Sequence, residues 1–280
     1  MGAWIMAGVT FREAARKKLL WMALLAGSAF LALFGTGLYF QLKDFASRTN
    51  PLMARQGVDA LLMVGLYAVD LMAVVMTVLT SVDTLSGEID SGTIQAVATK
   101  PITRSQLLLG KWLGFVGMLT LYVALMVGGI TALTYLMSLR LLGGVAPHHL
   151  LRGIGLLWLE CVLLLSVTFL FGTSFSTLTN GVLALGMHGV AFIGGWIEQA
   201  GALTHSPRAV NVGIAASILI PSESLWRRAA FEMQSPVVGA LGFSPFSNAS
   251  VPSGVMVVYA GLYVVATLGL GLRRFGRRDL

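Results

Sequence analysis

The chain has one cysteine, Cys161, in 280 residues. That excludes an internal disulfide and every metal motif built on clustered cysteines. Charge is scarce too, with only 11% of residues Asp, Glu, Lys or Arg, against about 25% in an ordinary soluble domain. Several catalytic patterns are missing as well. There is no H-E-x-x-H zinc helix and no nucleophile elbow around a serine. No group of His, Cys, Asp and Glu has metal-ligand spacing. What the chain has in excess is apolar surface: 56% of residues are hydrophobic and the mean hydropathy is +0.81. A soluble protein of this length cannot bury so much, so the composition predicts an all-α integral membrane protein with a single domain over residues 1–280. The net charge of +7 would suggest nucleic acid in a soluble chain. Here its placement beside apolar runs argues for membrane lipids and for no nucleic acid.

A helix needs about 20 apolar residues to cross a bilayer. Runs at 19–40, 60–82, 112–137, 154–178, 181–197 and 254–272 meet that demand and predict six spans. The first is read as a retained span and not a signal peptide, since no A-x-A-like site follows it directly. The run 209–220, AVNVGIAASILI, is too short to cross and predicts a re-entrant or interfacial segment. In 222–234, SESLWRRAAFEMQ, a second short helix is predicted, with Trp226, Ala230 and Met233 on one face. Glu223–Arg227 and Arg228–Glu232 in it are spaced for i,i+4 pairs.

Basic residues orient the spans. Arg12, Arg16, Lys17 and Lys18 precede the first, and Arg273, Arg274, Arg277 and Arg278 follow the last. With Lys100, Arg104 and Lys111 they place 11 of the 19 Lys and Arg on one side. The positive-inside rule makes that side the cytoplasm, with both termini there, in a multi-pass protein of the cytoplasmic (inner) membrane.

The same rule makes the segment 81–114, SVDTLSGEIDSGTIQAVATKPITRSQLLLGKWLG, cytoplasmic. Its charge is unusual beside such greasy spans. Ile89, Ile94 and Val97 lie near one helical face, while Glu88, Asp90, Ser91 and Gln95 are polar. Pro101 ends that helix. Thr103 and Gln106 have capping-box spacing, which predicts a new helix running into span three. A short amphipathic helix, a break and an entering helix suit docking to another protein. Gly110 and Gly114 make a small-xxx-small pair at the start of span three, where two helices can approach closely. The string LLLGKW is not a P-loop, because Ser105 and Trp112 stand where Gly and Ser or Thr are required.

Three ionisable residues are predicted inside spans: Asp70, Glu160 and His188. An acidic group at mid-membrane costs about 2.5–3.5 kcal/mol and faces a bundle interior or water. They form a possible substrate path, although pairing of Asp70 with His188 or with a hydroxyl would serve structure equally well. Met63, Met72 and Met76 share the span with Asp70, which is compatible with a soft-metal path or with ordinary core filling.

Glu88, Gly92-Thr93, Lys100-Pro101, Arg104 and Gly110-Lys111 resemble the cytoplasmic loop of type-2 ABC transporter permeases. The amino-terminal TFREAARKKLLW is similar to that family's interfacial helix, and the segment after span five to its short external helices. Permeases of nitrous-oxide-reductase maturation have similar size and a similar loop. The resemblance implies an exporter subunit that is not itself an enzyme. It implies a pair of permeases, identical or related, and two copies of an ABC ATPase that holds ATP and Mg. It also implies a coupling helix between spans two and three in which Glu88, Asp90, Gly92, Thr93, Pro101 and Arg104 contact the ATPase. A secondary transporter or channel using Asp70 as an ion or proton site is the alternative, although the chain shows no inverted internal repeat.

Overall fold

A computed structural model describes residues 2–46, 51–90, 103–138, 147–234 and 250–277. Those residues form ten α-helices and no strand. In chain order they are α1 (Gly2–Arg16), α2 (Lys18–Ala46), α3 (Pro51–Ser81), α4 (Asp83–Asp90) and α5 (Arg104–Met137). Then follow α6 (Pro147–Gly172), α7 (Thr177–Leu203), α8 (Pro207–Leu219), α9 (Ser222–Met233) and α10 (Gly254–Arg277). Six are long and apolar enough to span a membrane: α2, α3 continued by α4, α5, α6, α7 and α10.

Most span limits differ from the apolar pattern, and the fourth and fifth spans show why. The fourth ends at Gly172, not 178, because residues 173–176 turn and Ser176 takes the extended backbone of a helix N-cap. The fifth runs Thr177–Leu203, well beyond 181–197. Asn180 and Glu198 dilute its hydropathy, yet both are buried and bonded inside the bundle. The capping box at the start of α5 is present: the Gln106 backbone N–H donates to Thr103 Oγ1, and the Thr103 N–H to Gln106 Oε1. With 34 residues, α5 is about 51 Å long, so it extends beyond a hydrocarbon core of about 30 Å.

α1 lies against the first turns of α5. Its buried face is Met6, Ala7, Thr10 and Ala14, and it meets Gly110 and Gly114. A Cβ on Gly110 would sit 2.8 Å from the Ala3 carbonyl oxygen, and one on Gly114 2.8 Å from that of Ala7. In lipid, helix association rests on such close van der Waals contact and not on a hydrophobic drive.

After α7 the chain reverses in three residues. His205 adopts φ 53 there, a left-handed conformation tolerated by histidine, and Pro207 starts α8. α8 returns along α7 through small residues: Gly201 meets Ala209, Gly194 meets Ala216, and Gly213 meets the Glu198 Cβ. At Ile220–Pro221 the path turns by 108° into α9. With 13 and 12 residues, the arms are about 20 and 18 Å long, too short to cross alone. Together they form a sharply bent hairpin, of the length and composition of a broken span or a re-entrant loop. The second arm is packed into the bundle, with nine of its twelve residues enclosed. Trp226, Ala230 and Met233 are among them.

Non-helical backbone at membrane depth must find its partners within the protein. The turn does so through α10: the Tyr259 hydroxyl donates to the Ile218 carbonyl at 2.6 Å and that of Tyr263 to the Leu219 carbonyl at 3.1 Å. Ile220 and Pro221 themselves are buried.

Candidate functional site

Two polar constructions stand out in this apolar bundle. The first is the root of the segment between spans two and three. Along α3 and α4, hydroxyl groups donate to carbonyls four residues back: Thr77 to Ala73, Thr80 to Met76, Ser81 to Thr77 and Ser86 to Val82, at 2.6–2.7 Å. Such back-bonding bends helices, and the helix here breaks at Val82. Asn180 of α7 closes the gap. Its Nδ2 donates to the Val82 carbonyl at 3.3 Å and to the Thr168 carbonyl at 3.0 Å. Ser81 Oγ lies 2.8 Å from Thr168 Oγ1, and Ser86 Oγ 2.9 Å from Thr177 Oγ1. The end of span two is thus pinned to spans four and five.

Span three supplies the remaining tie. Lys111, only 4% exposed, forms an ion pair with Glu88 of α4. A buried ammonium is costly unless paired, so its position effectively fixes where Glu88 sits. Trp112 Nε1 donates to Ser166 Oγ at 3.0 Å, anchoring the next residue to span four. Arg104 opens α5 and is half-buried. Glu88 and Arg104 therefore flank the root from its two sides. Asp90 is the last residue of α4; its side chain, and Gly92, Thr93 and Pro101, lie outside the described residues.

The second construction is a core of ionisable groups midway along the spans. Asp70 of α3 and Glu160 of α6 are both buried, Glu160 completely, and lie near enough to act on one another electrostatically. Ionised carboxylates only accept, and neither Glu160 oxygen has a donor among the described residues. Glu223, in the first turn of α9, lies near enough to act electrostatically on both carboxyls. The positive end of that helix favours acidic groups there. His188 Nδ1 lies 3.0 Å from Ser222 Oγ and 3.9 Å from Glu160 Oε1. Asp70, Glu160 and His188, read separately from the sequence, are thus neighbours around the hairpin tip. Asp70 lies beside Glu160, while His188 meets Ser222 and approaches Glu160.

Farther along the hairpin, Arg227 Nη2 donates to Glu198 Oε2 at 2.8 Å, and Ser250 Oγ donates to Glu198 Oε1 at 2.6 Å. The i,i+4 spacing suggested Glu223 as the partner of Arg227; Glu223 does feel the guanidinium charge, and the direct ion pair joins Arg227 to span five. Arg228 does pair with Glu232, at 3.3 Å, and His149 Nδ1 lies 2.8 Å from the same carboxylate. Tyr67 meets Trp226 edge-on at 4.8 Å. The hairpin is thus tied to spans two, four, five and six.

Asn180, Glu198 and Glu223 were not singled out as site residues from the sequence. The available signal was a polar or acidic residue inside or beside an apolar run, which for Glu198 fell just past the expected span end. Among the described residues no group of three His, Cys, Asp or Glu is arranged to hold a metal ion. The arrangement is that of apolar helices fixed to one another by buried polar joints.

A search of curated proteins finds no match to this chain. Among protein families, the one described as ABC-2 family transporter protein matches residues 4–280, nearly the whole length. With its six membrane-spanning helices, this chain belongs to the ABC-2 family, the membrane permeases of ABC transporters that work with an ABC ATPase.

Proposed function

We propose that this permease is the membrane subunit of an ABC exporter in the cytoplasmic membrane, working as a pair of permeases with two ATPase subunits. ATP and Mg reside in the ATPase, and the segment containing Glu88, Asp90, Gly92, Thr93, Pro101 and Arg104 grips it from the cytoplasmic side. The observation that carries this reading is the braced root of that segment. A coupling element must transmit force, so it must not slide against its own bundle. Glu88–Lys111, Asn180–Val82 and the glycine contacts of α1 with α5 all resist such sliding.

Closure of the ATPase dimer would push α4 and the start of α5 together. The push would reach spans four and five through Thr168, Thr177 and Asn180, and the bent hairpin through span five. The buried acids Asp70 and Glu160, with His188, lie where that motion would be felt. They form the possible substrate path on this reading.

The test is co-expression of the full chain with an ABC ATPase subunit, followed by purification and reconstitution into vesicles. The expected result is a stable complex whose ATP hydrolysis drives substrate in one direction only. Transport that continues in permease vesicles without any ATPase would overturn this reading in favour of a secondary transporter.

A further inference from the structure

On the side of the bundle where α1 lies, an open groove of about 350 Å³ runs between α2 and α3. Its walls are Leu19, Met22 and Ala26 from α2 and Leu71, Val75 and Leu79 from α3, with Tyr122 of α5 at its floor. The α3 residues recur every four positions and so form one stripe. Both wall helices are membrane spans, so the groove lies at hydrocarbon depth and its occupant must be apolar there.

The mouth of the groove has the opposite chemistry. α1 ends at Arg16, the chain bends at Lys17, and α2 begins at Lys18, one residue before the groove-lining Leu19. Arg12, Arg16 and Lys18 are exposed and Lys17 is half-buried. None of the four forms an ion pair among the described residues. Positive side chains at a helix N-terminus oppose the helix dipole, and α2 has no acidic residue in its first turn to offset them. An anion at that point would relieve both. The outward face of α1 carries exposed Trp4, Ile5, Val9 and Phe11, and Trp21 is exposed on α2. Aromatic residues of that kind sit at the headgroup level of a bilayer.

We propose that this elbow is a binding site for an anionic phospholipid of the bilayer, with an acyl chain in the α2–α3 groove and the phosphate on Arg16, Lys17 and Lys18. Charge at the mouth selects the headgroup, and the apolar walls hold the chain. The lipid would brace α1, and through Gly110 and Gly114 the start of α5.

Native mass spectrometry of the detergent-purified full chain, given equal amounts of phosphatidylglycerol and phosphatidylcholine, tests this. Wild-type protein should retain phosphatidylglycerol on the order of tenfold more, as expected for a few basic residues at the headgroup level. Arg16→Gln/Lys17→Gln/Lys18→Gln should abolish the preference, and Ala26→Trp should lower retention of both lipids. Equal retention by the wild type overturns the proposal without recourse to any variant. So does efficient cross-linking of Met22→Cys between two copies in phosphatidylglycerol vesicles, which would assign the groove to a permease–permease contact.

Discussion

Lys111, buried at the start of span three, holds the carboxylate of Glu88 across the root of the inter-span segment. Glu88 is the acidic residue that the family resemblance assigns to ATPase contact, and this geometry gives it a second task. Removing its charge leaves a buried ammonium unpaired, a loss that costs about 3–5 kcal/mol when the pair is fully enclosed and less here, because Glu88 is 21% exposed. Glu88→Gln should therefore lower the thermal unfolding midpoint in detergent. The exchanged pair Glu88→Lys/Lys111→Glu should recover most of it. If the exchange restores stability but not ATPase binding, Glu88 also touches the ATPase directly. No drop in Glu88→Gln would show the pair to be inconsequential.

Arg227 and Glu198 are both buried and directly bonded. Arg227→Ala strands the Glu198 carboxylate with Ser250 as its one remaining donor among the described residues, and should destabilise by about 3–5 kcal/mol. The double variant Arg227→Ala/Glu198→Ala should cost less than the sum of its parts, since the stranded charge goes too. A double-mutant cycle on urea or thermal unfolding in detergent measures the coupling. Additive losses would contradict the assigned pair.

Gly213 on α8 admits no side chain. A Cβ there would lie 2.3 Å from the Glu198 Cβ and 2.6 Å from the Gly194 carbonyl oxygen, so Gly213→Ala must push α8 off α7. We expect a loss of about 1–3 kcal/mol. Gly128→Ala is the control: a Cβ there meets nothing within 4 Å, and alanine is the better helix former. It should be neutral or slightly stabilising. Equal effects at the two positions, read by thermal unfolding, would refute the close approach of α7 and α8.

Much of this architecture is legible in the sequence where a single segment carries the signal. Apolar runs of sufficient length give the six spans, and Thr103 with Gln106 gives the start of α5. Gly110 and Gly114 mark a close contact, although not with which helix. The residues that escaped are those whose meaning lies between segments. Arg227 has Glu223 one turn away and binds Glu198 on another helix. Asn180 looks like a flaw in an apolar run until Val82 and Thr168 are seen to need its donors. The hairpin tip is readable only once Tyr259 and Tyr263, about 40 positions farther along, are seen to satisfy its carbonyls.

Asp70 is buried inside the bundle, near Glu160, and not turned out to lipid. Asp70→Asn supplies an N–H donor to a Glu160 carboxylate that has none among the described residues. It should keep or raise stability while impairing transport, if the pair belongs to the working path. Asp70→Leu leaves Glu160 without a polar neighbour at that position and should cost about 1–3 kcal/mol. Unfolding midpoints and vesicle transport, measured side by side, separate the two roles. Tolerance of Leu in both assays would rule out a role for Asp70.

The central claim is that the charged segment between spans two and three grips an ABC ATPase. Its most direct test spares Glu88, which holds Lys111, and reverses Asp90 and Arg104 together. Single exposed charge pairs contribute only about 0–1 kcal/mol, so two reversals are needed for a clear effect. Asp90→Lys/Arg104→Glu permease, co-expressed with its ATPase, should insert and fold like wild type, as judged by size-exclusion behaviour and helicity. ATPase co-purification should fall by on the order of tenfold, the sum of about 1.4 kcal/mol from the two sites. Full ATPase recovery together with full transport would reduce the segment to a connector and contradict the account.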